Sequence, residues 1–436
     1  MMDPVVIGSI GIAALFVLIL LQVPIAFAMI IVGVVGFAVE GGGWFPAFSF
    51  LASEPAYVLS STDLSAVPLF LLMGTFASVA GFSEDVYVAA AAFLGHRRGG
   101  LAYATITGSA AFGAICGSST ATAATFAKVA LPQMRRRGYA PSFSSGVIAA
   151  GGTLKSLIPP SLVMIIYCIV AKTFIFDMFI AAIVPALLTI ACNLIAIFVM
   201  VRINPAVAPV SERVSWNERM KAGIRAAPSV ALLLGVFIGL YSGVFTVNEA
   251  ASAAAILSLL FAIVRRRLTW ESMVRGMYEA AVVSAMLYMI LMAAPVFTYF
   301  VNLAHVPEAL VHWIGAQHLS PLSVIAILLV VYIILGTFFE EMSSILITLP
   351  LVLPIVVGLG YDPLWWGIVC LVQVELAMIH PPMGIIVFLL HAVAPDIPMG
   401  TIYRGVVPFL IADFAVLILL TIFPQLVLWL PGIWHG

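Results

Sequence analysis

The residues of this chain that could bind a ligand come as matched sets inside apolar sequence. Gly117-Ser118-Ser119-Thr120, followed by Thr122 and Thr125, is one polar island, and Gly336 to Ser344, with Glu340-Glu341 inside it, is another. Hydroxyls and main-chain carbonyls freed where a helix stops are hard oxygen ligands suited to Na⁺; small residues of this kind also serve close helix packing. The second set is Ile158-Pro159-Pro160-Ser161 with His380-Pro381-Pro382-Met383-Gly384. Two successive prolines remove two amide donors and stop a helix. The helix resuming at Ser161 or Gly384 offers amide donors and a positive dipole end, which suit an anion such as a carboxylate. Lys155 lies four residues before Pro159. At membrane depth a lysine costs about 2.5–3.5 kcal/mol on insertion scales, so it needs a role or a partner. It could bind an anionic substrate, replace a cation as a fixed charge, or pair with a carboxylate such as Glu375. Glu340-Glu341 could ligate a cation or take a proton. His380 could titrate near neutral pH or be a satisfied buried histidine. Glu249 and Asp413 stand alone and read as structural. Ser156 adjoins Lys155, but neighbours on a helix do not face each other, so no Ser–Lys dyad forms and the chain is not read as an enzyme.

These residues repeat because the chain repeats. Leu131-Pro132 recurs as Leu353-Pro354, Gly138-Tyr139 with Pro141 as Gly360-Tyr361 with Pro363, and Pro159-Pro160 as Pro381-Pro382, all 222 residues apart. A broken membrane helix in each half is the best sequence pointer to the binding site of a secondary transporter.

The composition leaves room for little else. Of 436 residues, 64% are hydrophobic and 8% charged, against about 25% charged in soluble domains. At roughly 20 residues per span the chain is a polytopic, all-α membrane protein without a soluble catalytic domain. Its net charge of −1 excludes a nucleic-acid surface. The four cysteines lie in apolar stretches without metal-ligand spacing and read as buried hydrophobes.

Basic clusters mark cytoplasmic loops: Arg97-Arg98, Arg135 to Arg137, Arg202 to Arg225, Arg265 to Arg275, and Arg404. The stretch between Arg98 and Arg135 must enter the membrane and return, so 99–134 reads as a re-entrant hairpin tipped by Gly117 to Thr120. Such a tip is tolerated only inside protein or beside a water-filled cavity. The second polar island has no basic flank, so 319–360 reads as a hairpin entering from the opposite side. The first inverted repeat is then 1–202, with broken helix 140–170. A cytoplasmic linker covers 203–225. The second repeat is 226–436, with broken helix 364–394 and a last crossing over 405–430. About ten crossings result, with both termini outside and with interfacial arms near 47–60, 86–95 and 303–316.

With these motifs in order, the chain resembles the large membrane subunit of the tripartite ATP-independent periplasmic (TRAP) transporters, DctM type. The resemblance rests on Val67-Pro68-Leu69-Phe70 with Gly74, His96-Arg97-Arg98-Gly99-Gly100-Leu101-Ala102, Gly117 to Ala121, Arg137-Gly138-Tyr139, Ile158 to Ser161, Val247 to Ala251, Ile345 to Pro350, and Pro381 to Gly384. It covers nearly the whole chain. It implies a multi-pass protein of the bacterial inner membrane and an elevator-type carrier coupled to Na⁺. It also implies a small four-helix membrane partner, a periplasmic substrate-binding protein and an organic-acid substrate, commonly a C4-dicarboxylate. A stand-alone Na⁺/dicarboxylate symporter of related fold is the alternative. By motif match the Na⁺ candidates are Gly117, Ser118, Ser119, Thr120 and Pro159 in the first half, and Gly336, Thr337, Ser343, Pro381 and Pro382 in the second. The substrate candidates are Lys155, Pro160, Ser161, His380, Met383 and Gly384. Two of these depart from the family pattern: Lys155 stands where a small residue is common, and His380 where threonine is.

Overall fold

The computed structural model describes residues 3–41, 43–210 and 213–435, and every regular element among them is helical. The first copy comprises α1 (Pro4–Leu20), α2 (Ile25–Glu40), α3 (Trp44–Ser60), α4 (Ala66–Val79), α5 (Phe82–Leu94), α6 (Gly100–Cys116), α7 (Ser119–Arg136), α8 (Pro141–Thr153), α9 (Leu162–Ala171) and α10 (Ile175–Ile203). The second comprises α11 (Trp216–Tyr241), α12 (Val247–Val264), α13 (Trp270–Leu303), α14 (Val306–Ala316), α15 (Pro321–Phe338), α16 (Glu341–Gly358), α17 (Pro363–Ala377), α18 (Ile385–Val393), α19 (Met399–Ile422) and α20 (Gln425–His435). The 222-residue spacing holds at their ends: α7 and α16 start and stop in register, and α2 and α12, like α8 and α17, start in register. Local signals set several boundaries. Ser118 caps α7 by accepting from the Ala121 amide at 3.3 Å. Glu249 is structural, as read: it and Thr246 form a capping box at the start of α12.

The copies embrace each other. In one unit, the scaffold, α2 lies along α13, α4 along α12 and α5 along α11; in the other, the core, α8 crosses α19, α7 meets α18 and α9 meets α16. The α8–α19 crossing brings backbones together at Gly146 and Gly405, where a Cβ on either glycine would strike the carbonyl oxygen of Gly405 or Ser142 respectively.

The topology follows the expected inverted repeats. Among the described residues, seven helices are individually long and apolar enough to cross a membrane, and up to nine spans result if the bent pairs α4–α5 (63°) and α8–α9 (41°) each count as one. By length α15 and α16 are among the seven. Their shared tip nevertheless ends among buried residues of the first copy, so they form the re-entrant hairpin. With α15 and α16 taken as the hairpin, the remaining spans are α4–α5, α8–α9, α10, α11, α12, α13 and α19, while α1, α2 and α17 are apolar but shorter, so fewer full-length spans are seen than the ten expected.

Three boundaries differ from expectation. The linker is shorter than 203–225, because the capping box of Ser215 and Glu218 starts α11 at Trp216. The final segment 405–430 is not one crossing: α19 stops before Pro424, which cannot continue a helix, and α20 folds back onto α10. Finally, α13 runs unbroken through the positions equivalent to α3 and α4. Ser60, Ser61 and Thr62 compete for backbone hydrogen bonds in the first copy; their equivalents are Val282, Val283 and Ser284, followed by apolar residues.

Arginines of the basic clusters also hold one end of the fold together. The buried Asp85 carboxylate on α5 lies between Arg225 of α11 and Arg265 just after α12, and Glu84 adds Arg225 at 3.5 Å and Arg267 at 3.6 Å.

Candidate ion and substrate site

The two hairpin tips meet at the centre of the core. Ser119 opens α7 and Glu341 opens α16; they are equivalent positions, 222 residues apart, and Ser119 Oγ donates to Glu341 Oε2 at 3.3 Å. The pseudo-twofold axis relating the copies therefore passes between these side chains. Both breaks contain a cis proline pair, Pro159-Pro160 and Pro381-Pro382, but their surroundings differ.

The first break is sealed and charged. After α8 comes one tight turn, Leu154–Leu157, then Ile158 to Ser161 before α9 resumes. Lys155 Nζ donates to Glu341 Oε1 at 2.7 Å, with the two side chains 0% and 4% exposed. Ser156 Oγ donates to Glu341 Oε2 at 2.7 Å and lies 3.4 Å from Ser119 Oγ. Glu375 of α17 accepts from the Leu157 amide at 3.2 Å. Thus two carboxylates of the second copy hold the break of the first. The expected pairing of Lys155 with Glu375 is corrected to Glu341. Glu375 instead accepts from a backbone amide of the turn at the break. Pro159, Pro160 and Ser161 are all buried, and Ser161 Oγ has no hydrogen-bond partner. Gly113 of α6 sits over Lys155: a Cβ there would lie 2.9 Å from the Lys155 Cβ.

The second break is open and uncharged. It runs from Met378 to Gly384 between α17 and α18, with no helical turn inside it. Pro381, Pro382 and Met383 are exposed, and Gly384 adopts φ +49° at the start of α18. Tyr403 of α19 donates its hydroxyl to the carbonyls of Pro382 at 2.8 Å and Met383 at 2.9 Å. His380 is half-buried against Phe414, and its Nδ1 has no partner. The positions equivalent to Lys155 and Ser156 are Ala377 and Met378. A Cβ on Gly336 would lie 2.7 Å from Ala377 Cβ and 3.9 Å from Ser344 Oγ.

The structure therefore gathers Ser119, Pro159 and Lys155 at one break, and Gly336 and Ser344 beside the other. Ser118 and Thr120 pair with each other at 3.1 Å. Ser118 and Cys116 also line a cavity of about 380 Å³ between this tip and the scaffold helices α4 and α13. A larger cavity, about 800 Å³, separates the far end of α9 from α3 and α13.

Tested for a bound Na⁺, the two tips differ. At the first, the Glu341 carboxylate and the Ser156 and Ser119 hydroxyls are already engaged with one another and with an ammonium, so Ser119 Oγ is not free for an added cation. At the second, Ser344 Oγ is buried without a hydrogen-bond partner, close to Gly336, which packs tightly on Ala377. Thr337 Oγ1 is occupied by the Ile333 carbonyl at 2.7 Å.

The model of the DctM component of the tripartite ATP-independent periplasmic transporters matches residues 12–426. The chain belongs to this family. It is 34% identical to the C4-dicarboxylate TRAP transporter large permease protein DctM of Pseudomonas aeruginosa, over 86% of this chain and 87% of that protein. It is 28% identical to the sialic acid TRAP large permease SiaM of Vibrio cholerae, over 95% and 96%. Among solved structures, the YdaH transporter of Alcanivorax borkumensis, whose topology is described as unusual, aligns with a TM-score of 0.57 at 14% identity. That alignment covers 87% of this chain and 89% of the other, and it supports the fold. This DctM-family chain is a multi-pass protein of the inner membrane, and its family is one of transporter permeases.

Two contributors escape a sequence reading of the DctM motifs. Tyr403 lies one turn inside α19, and nothing at that position signals contact with a break 20 residues earlier. Asp413 is not isolated: it accepts from Asn193 at 3.1 Å where α19 crosses α10. A lone acid in an apolar run was the available signal, since such groups are rare without a partner.

Proposed function

We propose that this chain is the large membrane subunit of a Na⁺-coupled, binding-protein-dependent carrier that imports an organic acid such as a carboxylate. The observation that carries this reading is the meeting of two hairpin tips at equivalent residues, between two broken helices. Paired discontinuous helices with free carbonyls and helix amino-termini suit a cation and an anionic substrate held close together. The reachable break at Pro381 to Gly384 offers the anion the amino-terminus of α18. Ser344 beside it offers a buried, unpartnered hydroxyl to a cation.

An elevator movement of the core against the scaffold follows from the same division. Each unit pairs helices of the two copies, α4 and α5 also pack on α6 across the boundary, and cavities lie along it. The family's tripartite organisation supplies the partners: a small four-helix membrane subunit that enlarges the scaffold, and a periplasmic binding protein that delivers substrate. The C4-dicarboxylate relatives make a dicarboxylate the first substrate to try.

The test is reconstitution in proteoliposomes with the small subunit and the binding protein, measuring uptake of labelled organic acids with and without an inward Na⁺ gradient. Uptake requiring both Na⁺ and the binding protein is expected. Na⁺-driven uptake without the binding protein would establish the stand-alone symporter instead, and uptake indifferent to Na⁺ would remove the coupling.

A further inference from the structure

The first tip holds a cation of its own, and this deepens the coupling just proposed. Lys155 Nζ is buried, 2.7 Å from Glu341 Oε1, and the other carboxylate oxygen accepts from Ser156 and Ser119 at 2.7 and 3.3 Å. Without the ammonium, those groups would be a carboxylate and two hydroxyls converging in a closed space, a hard-oxygen set of the kind that alkali and alkaline-earth ions take. The arrangement is one-sided. Ser119 and Glu341 are equivalents across the axis, whereas Lys155 and Ser156 are matched by Ala377 and Met378 in the other copy. Only one place at the axis is therefore built for positive charge. Nor does Lys155 face an opening where a substrate anion could reach it, because Gly113 closes over its stem.

We infer that the Lys155 ammonium permanently occupies a cation site between the hairpin tips, so that this carrier takes up one Na⁺ fewer than the same framework with a small residue at 155. A buried carboxylate left alone would need a replacement cation. An ammonium tethered to α8 supplies one in every state of the cycle and travels with the core.

The test compares purified wild-type chain with Lys155→Ala and Lys155→Ser by equilibrium binding of ²²Na⁺ and by melting in NaCl against KCl and choline chloride. The expected result is one additional Na⁺ bound per variant chain, with a melting temperature that rises with NaCl more steeply than that of wild type and not with choline. An unchanged Na⁺ count overturns the inference, as does failure of both variants to fold even in high NaCl. The double variant Lys155→Met/Glu341→Gln removes the pair as a whole and is expected to bind the wild-type number; a gain there also overturns the inference. Because the readout is a difference between variants, it stands apart from the Na⁺ coupling of the wild type. A wild type indifferent to Na⁺ removes that coupling, while a Na⁺ gained only in the single variants still places Lys155 in a cation site.

Discussion

The two proline breaks of this protein come from equivalent sequence and end in opposite environments. At Pro159-Pro160 the chain is buried, and an ammonium and two carboxylates hold it. At Pro381-Pro382 the chain is exposed, and a tyrosine hydroxyl holds it. An inverted repeat therefore needs only to preserve where a helix stops. What fills the stop can diverge, and here one side has become a fixed ion pair while the other remains reachable. A fixed pair suits a part that must keep its shape; a reachable break suits a part that exchanges ligands.

The sharpest way to break this contrast is Glu341→Ala, which leaves Lys155 buried and unpaired. Removing one partner of a buried pair costs about 3–5 kcal/mol, so this variant should melt far lower in detergent than wild type. Met383→Ala at the exposed break should shift stability by no more than about 0.5 kcal/mol. Equal losses in the two variants would mean that the breaks are not different in kind. Ser156→Ala removes one hydrogen bond to the carboxylate, and bonds to charged groups are worth about 1.5–3 kcal/mol; the melting temperature should fall less than in Glu341→Ala.

Gly336→Ala inserts a methyl 2.7 Å from Ala377. Overpacking of this sort costs about 1–3 kcal/mol. If the unpartnered Ser344 hydroxyl takes a cation, the apparent Na⁺ affinity of uptake should drop as well; a stability change alone would assign Gly336 to packing. The smallest effect belongs to Tyr403→Phe. Its bonds reach exposed carbonyls that water can satisfy, so stability should change by about 0.5–1.5 kcal/mol at most. Uptake should nevertheless fall several-fold, because the loop leading into α18 loses its anchor. Wild-type uptake in Tyr403→Phe would show that the second break needs no fixed geometry.

Much of this was legible before any coordinates. The proline pairs stop helices because proline lacks the amide and clashes with the preceding turn, so both breaks fall where the residues place them. The hairpin tips follow from arginines that cannot cross the membrane and a polar island that cannot face lipid. Lys155 was marked as needing a partner by the cost of burying it, yet its partner was misjudged. Glu375 and Glu341 are similarly distant in sequence, and composition does not rank them. Glu341 wins because the axis between the copies brings the two tips together, a fact of packing with no trace in local sequence.

The chain by itself thus determined its solvent, its repeat and the positions of its breaks, since each depends on local propensity or on hydrophobic and charged pattern. Only the tertiary structure decided which break is sealed and which is open, that Lys155 meets Glu341, that Glu375 answers the Leu157 amide, and that Tyr403 and Asn193 belong to the core. These depend on how side chains from two distant halves share one interior, where a charge or polar group must find whatever partner the packing brings within reach.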